Sequence, residues 1–178
     1  MKNLIVILFG GLSDERKISF LTGKACSSAL KRKGFKVINL DARGFFVKEL
    51  IKLKPKIVLN ALHGKYGEDG FVQSILESLK IKYTHSGVLS SSLAMDKELS
   101  KIMFKKNNLQ VPQYLLLEKG KNINLNKKIK INKFQFPLII KPNNEGSSLG
   151  VYICKNIKEL NNKYKKLIKK YDKILLEK

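Results

Sequence analysis

Three stretches of the chain hold residue types able to do chemistry. The first is "HGKYGEDGFVQS", residues 63–74. Its opening seven residues, His63 to Asp69, carry two glycines, one imidazole, two acids, a Lys and a Tyr. A plain strand-to-helix connection needs only about two to six residues. His63 follows the apolar "NAL" directly, at the C-terminal edge of a strand, where open α/β sheets bind ligands. A lone His is most often an ordinary polar residue, but the flanking glycines and the position favour a site role. Glu68 and Asp69 have a simpler reading as caps for the next helix, preferred for Asp69.

The second stretch, "FGGLSDER" (9–16), follows an apolar run and opens a helix. Its glycines allow a tight turn and close approach of the backbone to a ligand. Glu15 falls in the first helical turn. It either offsets the helix dipole or grips a ligand ammonium in the crevice at the sheet edge. The third stretch is "KPNNEGSSLG" (141–150): Lys141 ends an apolar strand, and Gly146, Gly150, Ser147 and Ser148 follow. Loops of this kind turn backbone N–H groups and hydroxyls toward phosphate oxygens. A simple hairpin turn is the plainer reading, although about two to five loop residues would suffice for one. Neither GxxxxGK[ST] nor GxGxxG occurs, so a phosphate binder here is not a P-loop or a dinucleotide-type Rossmann site.

These stretches sit in a 178-residue chain with a formal charge of +22. The charge raises nucleic-acid binding as a possibility. Only Arg16, Arg32 and Arg43 of the 36 basic residues are arginine, leaving 33 lysines. Base readout favours Arg, and the lysines run through almost every segment, so the excess reads as compositional bias and no nucleic-acid partner is expected. Cys26 and Cys154 form no metal-ligand pattern and read as free buried thiols in a reducing compartment. No apolar run is long enough to span a membrane, and "MKNLIVILFGG" reads as a buried first strand rather than a signal peptide.

The hydrophobic pattern places the elements. Strands are expected at 4–11, 35–41, 55–62 and, short, at 81–87. Helices are expected at 13–34, 46–54 and 71–80, the first burying Ile18, Leu21, Ala25, Ala29 and Leu30. This alternation predicts a parallel-sheet α/β layer. Beyond a boundary near residue 95 the pattern becomes α+β. Helices are expected at 96–107 and 157–171, and strands from "QYLLLEKG", "FPLIIKP", "VYICKN" and "KILLEK". Residues 121–134 read as a polar connection without a period. The chain stops on an apolar strand, which reads as a cut rather than a natural end.

"FGGLSDERKIS", "ALHGKYGEDGFVQSILE", "YTHSGVLSSSLAMDKELSK", "FPLIIKPNNEGSSLGV" and "ILLEK" together resemble the bacterial D-alanine–D-alanine ligases of the ATP-grasp superfamily, in order and spacing. The resemblance covers the whole chain. It implies an N-terminal Rossmann-like domain, 1–95, and the first, α+β part of an ATP-grasp fold, 96–178, with the C-terminal catalytic domain missing. It implies ATP-dependent joining of two D-alanines through an acyl phosphate, for peptidoglycan precursors, in the cytoplasm. By the same resemblance Glu15 holds the ammonium of the first D-alanine and His63 lies near its carboxylate. Ser147 belongs to the network ordering Glu15 and the lid. Lys97 and Lys141 contact the ATP α- and β-phosphates. Glu145, Gly146, Ser147 and Ser148 belong to a flap over the phosphates, and Glu177 and Lys178 reach the adenine. The ligands of Mg²⁺ (or Mn²⁺) are expected beyond residue 178, so the isolated chain is expected to be inactive. A homodimer is implied for the full-length enzyme. Lys17 and His85 depart from common family residues. Alternative readings are a D-alanine–D-lactate or D-alanine–D-serine ligase, or a non-catalytic nucleotide- or nucleic-acid-binding module.

Overall fold

The structure, a computed structural model, describes residues 4–178. The chain divides into two compact units, one ending at Ala94 and the other beginning at Met95.

The first unit is built on β1 (Leu4–Phe9), α1 (Arg16–Arg32), β2 (Lys36–Asp41), α2 (Phe46–Leu53), β3 (Ile57–Asn60), α3 (Phe71–Ser78) and α4 (Val88–Met95), the last ending at the boundary. Its sheet is parallel, in the order β2-β1-β3. Every residue of β1 is buried, because a central parallel strand is covered on both faces and so must be apolar throughout. Val6 and Leu8 pack with Leu50 of α2 and Val72 and Leu76 of α3. Ile7 and Phe9 point the other way, toward Phe20, Cys26 and Leu30 of α1. The C-terminal ends of all three strands therefore lie along one edge, and the loops after them carry the first two of the chemistry-bearing stretches.

The seating of α1 corrects the sequence expectation. Ile18 and Leu21 are exposed, and the buried positions are Ser19, Gly23 and Ser27. The helix approaches the sheet on small residues spaced four apart, because Phe9 fills the space in front of them. A Cβ added at Gly23 would lie 2.8 Å from the Cβ of Phe9. The 81–87 segment also differs from expectation. It makes one isolated parallel bridge, Tyr83 to Val58, rather than a strand.

The second unit contains α5 (Lys97–Lys106), β4 (Tyr114–Glu118), α6 (Leu125–Ile131), β5 (Leu138–Pro142), β6 (Tyr152–Cys154), α7 (Ile157–Lys170) and β7 (Lys173–Glu177). The sheet is antiparallel, in the order β4-β7-β5-β6. One face carries the core: Leu117, Leu138, Ile140, Cys154, Ile174 and Leu176 pack with Leu160 and Leu167 of α7. Period-two alternation leaves Tyr114, Leu116, Ile139, Lys141, Leu175 and Glu177 on the other face. Helix α6 falls where a structureless connection was expected. Asn124 caps it by accepting from Lys127 N at 3.0 Å, and Leu125 and Ile129, four apart, are buried. The helical signal is two residues long in a run of Lys and Asn.

The Gly23 contact yields a sign-reversed prediction. Gly→Ala in a helix interior ordinarily stabilises by about 0.5–1 kcal/mol. Here the added methyl meets the root of Phe9, and overpacking typically costs about 1–3 kcal/mol. Gly23→Ala is expected to lower the melting temperature; a rise would show that α1 can retreat from the sheet freely.

Candidate functional site

In the first unit the turn after β1 is held from several sides. Ser19 Oγ accepts from Gly10 N at 2.8 Å and donates to the Ala61 carbonyl at 2.6 Å. One hydroxyl thus ties the ends of β1 and β3 to α1. Arg16 donates to the Gly11 carbonyl at 2.9 Å and grips both oxygens of Asp41, at the end of β2. Asp41 also accepts from Gly11 N at 3.3 Å and Arg43 N at 2.9 Å.

The loop after β3 is braced from within. Asn60 and Gln73 both donate to the Gly67 carbonyl, at 2.8 and 2.9 Å. Asp69 accepts from Tyr66 N and Phe71 N, so it shapes the entry to α3. Glu68, exposed, accepts from Gly64 N at 2.7 Å.

These two loops bring Glu15 and His63 together. Ser13 Oγ donates to the His63 carbonyl at 2.7 Å and accepts from Glu15 N at 3.2 Å. Glu15 is only 5% exposed. Its carboxylate lies against Gly64, where an added Cβ would fall 2.0 Å from Oε2. No basic side chain pairs with it among the described residues. A buried carboxylate without a cation is a costly arrangement, and such a group could take a positive ligand group. The His63 ring lies 3.0 Å from Thr22 Oγ1 and 3.6 Å from Glu68 Oε1. Beside it a cavity of about 350 Å³ opens between the three strand ends, lined by Gly10, Gly11, Ser13, Arg43, His63 and Tyr66, among others.

In the second unit the site forms between the N-terminus of α5, the β5–β6 hairpin and the end of β7. Asp96 caps α5 by accepting from Leu99 N at 3.0 Å. Asn143, fully buried, accepts from Glu98 N through its side chain at 3.0 Å and from Lys97 N through its carbonyl at 3.2 Å. The hairpin is thereby fastened to the helix start. Lys97 Nζ turns back onto the carbonyls of Asn143, at 3.2 Å, and Glu145. Burial and the neighbouring Lys141 ammonium push the Lys97 amine below the usual lysine range.

The hairpin loop holds two consecutive non-glycine residues in left-handed conformation, Ser147 at φ +43° and Ser148 at φ +59°. Each such residue costs on the order of 1–3 kcal/mol, and such strain gathers at ligand clamps. Both serines are exposed. Gly150, at φ +70°, closes the turn against Pro142.

Lys141 and Glu177 stand diagonally on one face of β5 and β7 and form an ion pair through Oε1. Lys101 Nζ lies 2.9 Å from the other oxygen, Oε2. Burial pushes the Glu177 carboxyl up, but hydrogen bonds from Lys141 and Lys101 outweigh it and hold the group below its usual range. Lys178 is exposed, and its backbone N–H reaches the Gln113 carbonyl at 3.1 Å.

The structure thus gathers Glu15 and His63 in one unit, and Lys97, Lys141, Glu145 and Glu177 in the other, to which Ser147 also belongs. Sequence reasoning missed Lys101, Asn143, Asn60 and Ser19. Lys101 was legible in principle, because it follows Lys97 by four residues and so shares its helix face. Among the described residues, no group of three or more His, Cys, Asp and Glu side chains could hold a metal ion. The described residues therefore offer no side-chain cluster that fits a Mg²⁺ or Mn²⁺ site.

A parallel-sheet unit followed in sequence by an antiparallel sheet with a lysine-flanked hairpin is the plan of ATP-grasp ligases. The sequence pattern described as "D-ala D-ala ligase C-terminus" matches residues 103–178. A D-alanine–D-alanine ligase of Pelagibacter ubique is 47% identical over 178 residues, covering 99% of this chain and 58% of that protein. The crystal structure of a D-alanine–D-alanine ligase from Bacillus anthracis superposes with a TM-score of 0.87 at 34% identity, over 99% of this chain and 57% of that one. The same enzyme complexed with ATP gives a TM-score of 0.85 at 32% identity. The chain is thus similar to D-alanine–D-alanine ligases and spans 58% of the length of the Pelagibacter relative.

The Arg16–Asp41 clamp predicts a pH effect. Hydrogen bonding from Arg16, against the upward push of partial burial and with help from Arg43 N and Gly11 N, lowers the Asp41 carboxyl from 3.8 to about 2. A depressed carboxylate stabilises the fold above its unfolded value and loses that contribution as pH falls through the folded one. The melting-temperature gap between the chain and Asp41→Asn should be widest near neutral pH and should close between about pH 4 and pH 2. A gap that stays constant over that range would mean that the clamp adds no pH-dependent stability.

Proposed function

We propose that this chain provides the nucleotide site and the first-amino-acid site of an ATP-dependent D-alanine–D-alanine ligase. The observation that carries the reading is the convergence of Lys97 and Lys141 on the strained Glu145–Ser148 hairpin. Two ammonium groups and a loop of turned backbone suit the phosphates of ATP. In this reading Lys97 exchanges its carbonyl contacts and Lys141 its carboxylate contact for phosphate oxygens. Glu145, Gly146, Ser147 and Ser148 fold over them and keep water away from a reactive phosphoryl group. Glu177 and Lys178 meet the adenine. Glu15 holds the ammonium of D-alanine, and His63 lies close to its carboxylate. The work of these residues is positioning and charge stabilisation, not covalent catalysis. The enzyme would act in the cytoplasm on peptidoglycan precursors, as a homodimer at full length.

Calorimetry with ATP tests the nucleotide reading. Lys141→Ala should weaken ATP binding by at least tenfold, about 1.4 kcal/mol. Lys127, exposed on α6, should be replaceable by Ala with less than about a twofold change, as for a solvated surface charge. Equal effects from the two substitutions would mean that general basicity, rather than the hairpin site, draws the nucleotide.

D-alanine titration tests the other half. Glu15→Gln removes a charge-assisted hydrogen bond worth roughly 1.5–3 kcal/mol, so D-alanine affinity should drop about 10- to 150-fold while ATP affinity holds. Unchanged D-alanine binding would leave Glu15 a helix-dipole residue.

A further inference from the structure

Lys101 has no part in the reading above. It is 9% exposed in a chain whose lysines mostly face water. Its Nζ lies 2.9 Å from Glu177 Oε2 and sits over the ring of Tyr114, 5.3 Å from the centroid. The side chain of Glu177 is 6% exposed and that of Lys141 is 20% exposed. One buried carboxylate therefore has two ammonium partners, one deep and one near the surface. A single partner would suffice to balance its charge.

We propose that Lys101 is a positioning residue that keeps Glu177 neutralised so that Lys141 can leave it for a polyphosphate. This rests on the phosphate-binding reading of Lys141. Without Lys101, departure of Lys141 would strand a buried carboxylate, and breaking a buried pair is strongly unfavourable. Lys141 would stay locked on Glu177, and an incoming anion would have to compete with that pair. With Lys101 in place the carboxylate keeps one counter-ion throughout. The deeper lysine is the fixed partner, because it is packed against Tyr114 and its helix is fastened to the hairpin through Asn143. Lys141 is the exchangeable one, because it borders the loop. Lys97 and Lys101, one turn apart on α5, then divide the work: the first faces the anion and the second holds the charge that would otherwise retain Lys141.

Inorganic tripolyphosphate, which lacks the adenine that Glu177 would meet, isolates this effect. Its affinity and that of ATP are measured by calorimetry on the chain and on Lys101→Met, Glu177→Gln and the double variant, with thermal melts to check folding. Lys101→Met is expected to weaken tripolyphosphate binding by at least about tenfold. Adding Glu177→Gln to Lys101→Met should restore it to within about threefold of the unmodified chain, since no carboxylate then holds Lys141. Tripolyphosphate affinity should be equal in Glu177→Gln and the double variant, because Lys101 has nothing left to balance. Neither of these holds an uncompensated buried carboxylate, so their comparison decides the matter even if Lys101→Met does not fold. A Lys101→Met affinity equal to that of the unmodified chain, or a further loss on adding Lys101→Met to Glu177→Gln, overturns the proposal and leaves the phosphate reading standing. Failure of the unmodified chain to bind either ligand overturns both.

Discussion

A carboxylate buried at the end of β7 has to be balanced, and much of the second unit is arranged around that need. Glu177 sits on the face of the sheet opposite the apolar core, where Lys141 of β5 and Lys101 of α5 pair with it. Its two oxygens therefore tie together a central strand, a neighbouring strand and a helix. The helix is tied in turn to the hairpin by Asn143. Burying a charge is expensive in isolation, so this face has few alternative arrangements. That specificity fixes where Lys97 and the hairpin loop meet.

The first unit solves a different problem with neutral groups and one ion pair. Three parallel strands end at one edge, and the loops leaving them must keep their glycines in order. Ser19, Asn60, Gln73 and the Arg16–Asp41 pair do this by occupying backbone donors and acceptors. The Glu15 carboxylate, buried and set against Gly64, pairs with no basic side chain among the described residues. A buried acid in that position suits a cationic guest.

Much of this was legible in the sequence. The continuous apolar run of β1 announced a central parallel strand, and the glycine-rich stretches announced the loops that carry the candidate residues. The failures have physical causes. Sequence patterning looks for a broad apolar stripe on a helix, whereas α1 packs through Ser19, Gly23 and Ser27; the large Phe9 side chain supplies the contact that its own residues do not. Helix α6 was missed because a single buried pair, Leu125 and Ile129, is diluted by Lys and Asn. Lys101 was lost among 33 lysines, since composition cannot distinguish one inward-facing ammonium from its solvated neighbours. Asn143 carries no signal of its own within "KPNNEGSSLG", yet it is the fastener between loop and helix.

The crowding of Lys97 has a thermodynamic corollary. Burial and the nearby Lys141 leave its amine with weakened hold on a proton. A negative charge set between the two ammonium groups would oppose the Lys141 influence and favour the charged form of Lys97. Binding of an anion and retention of that proton would then reinforce one another.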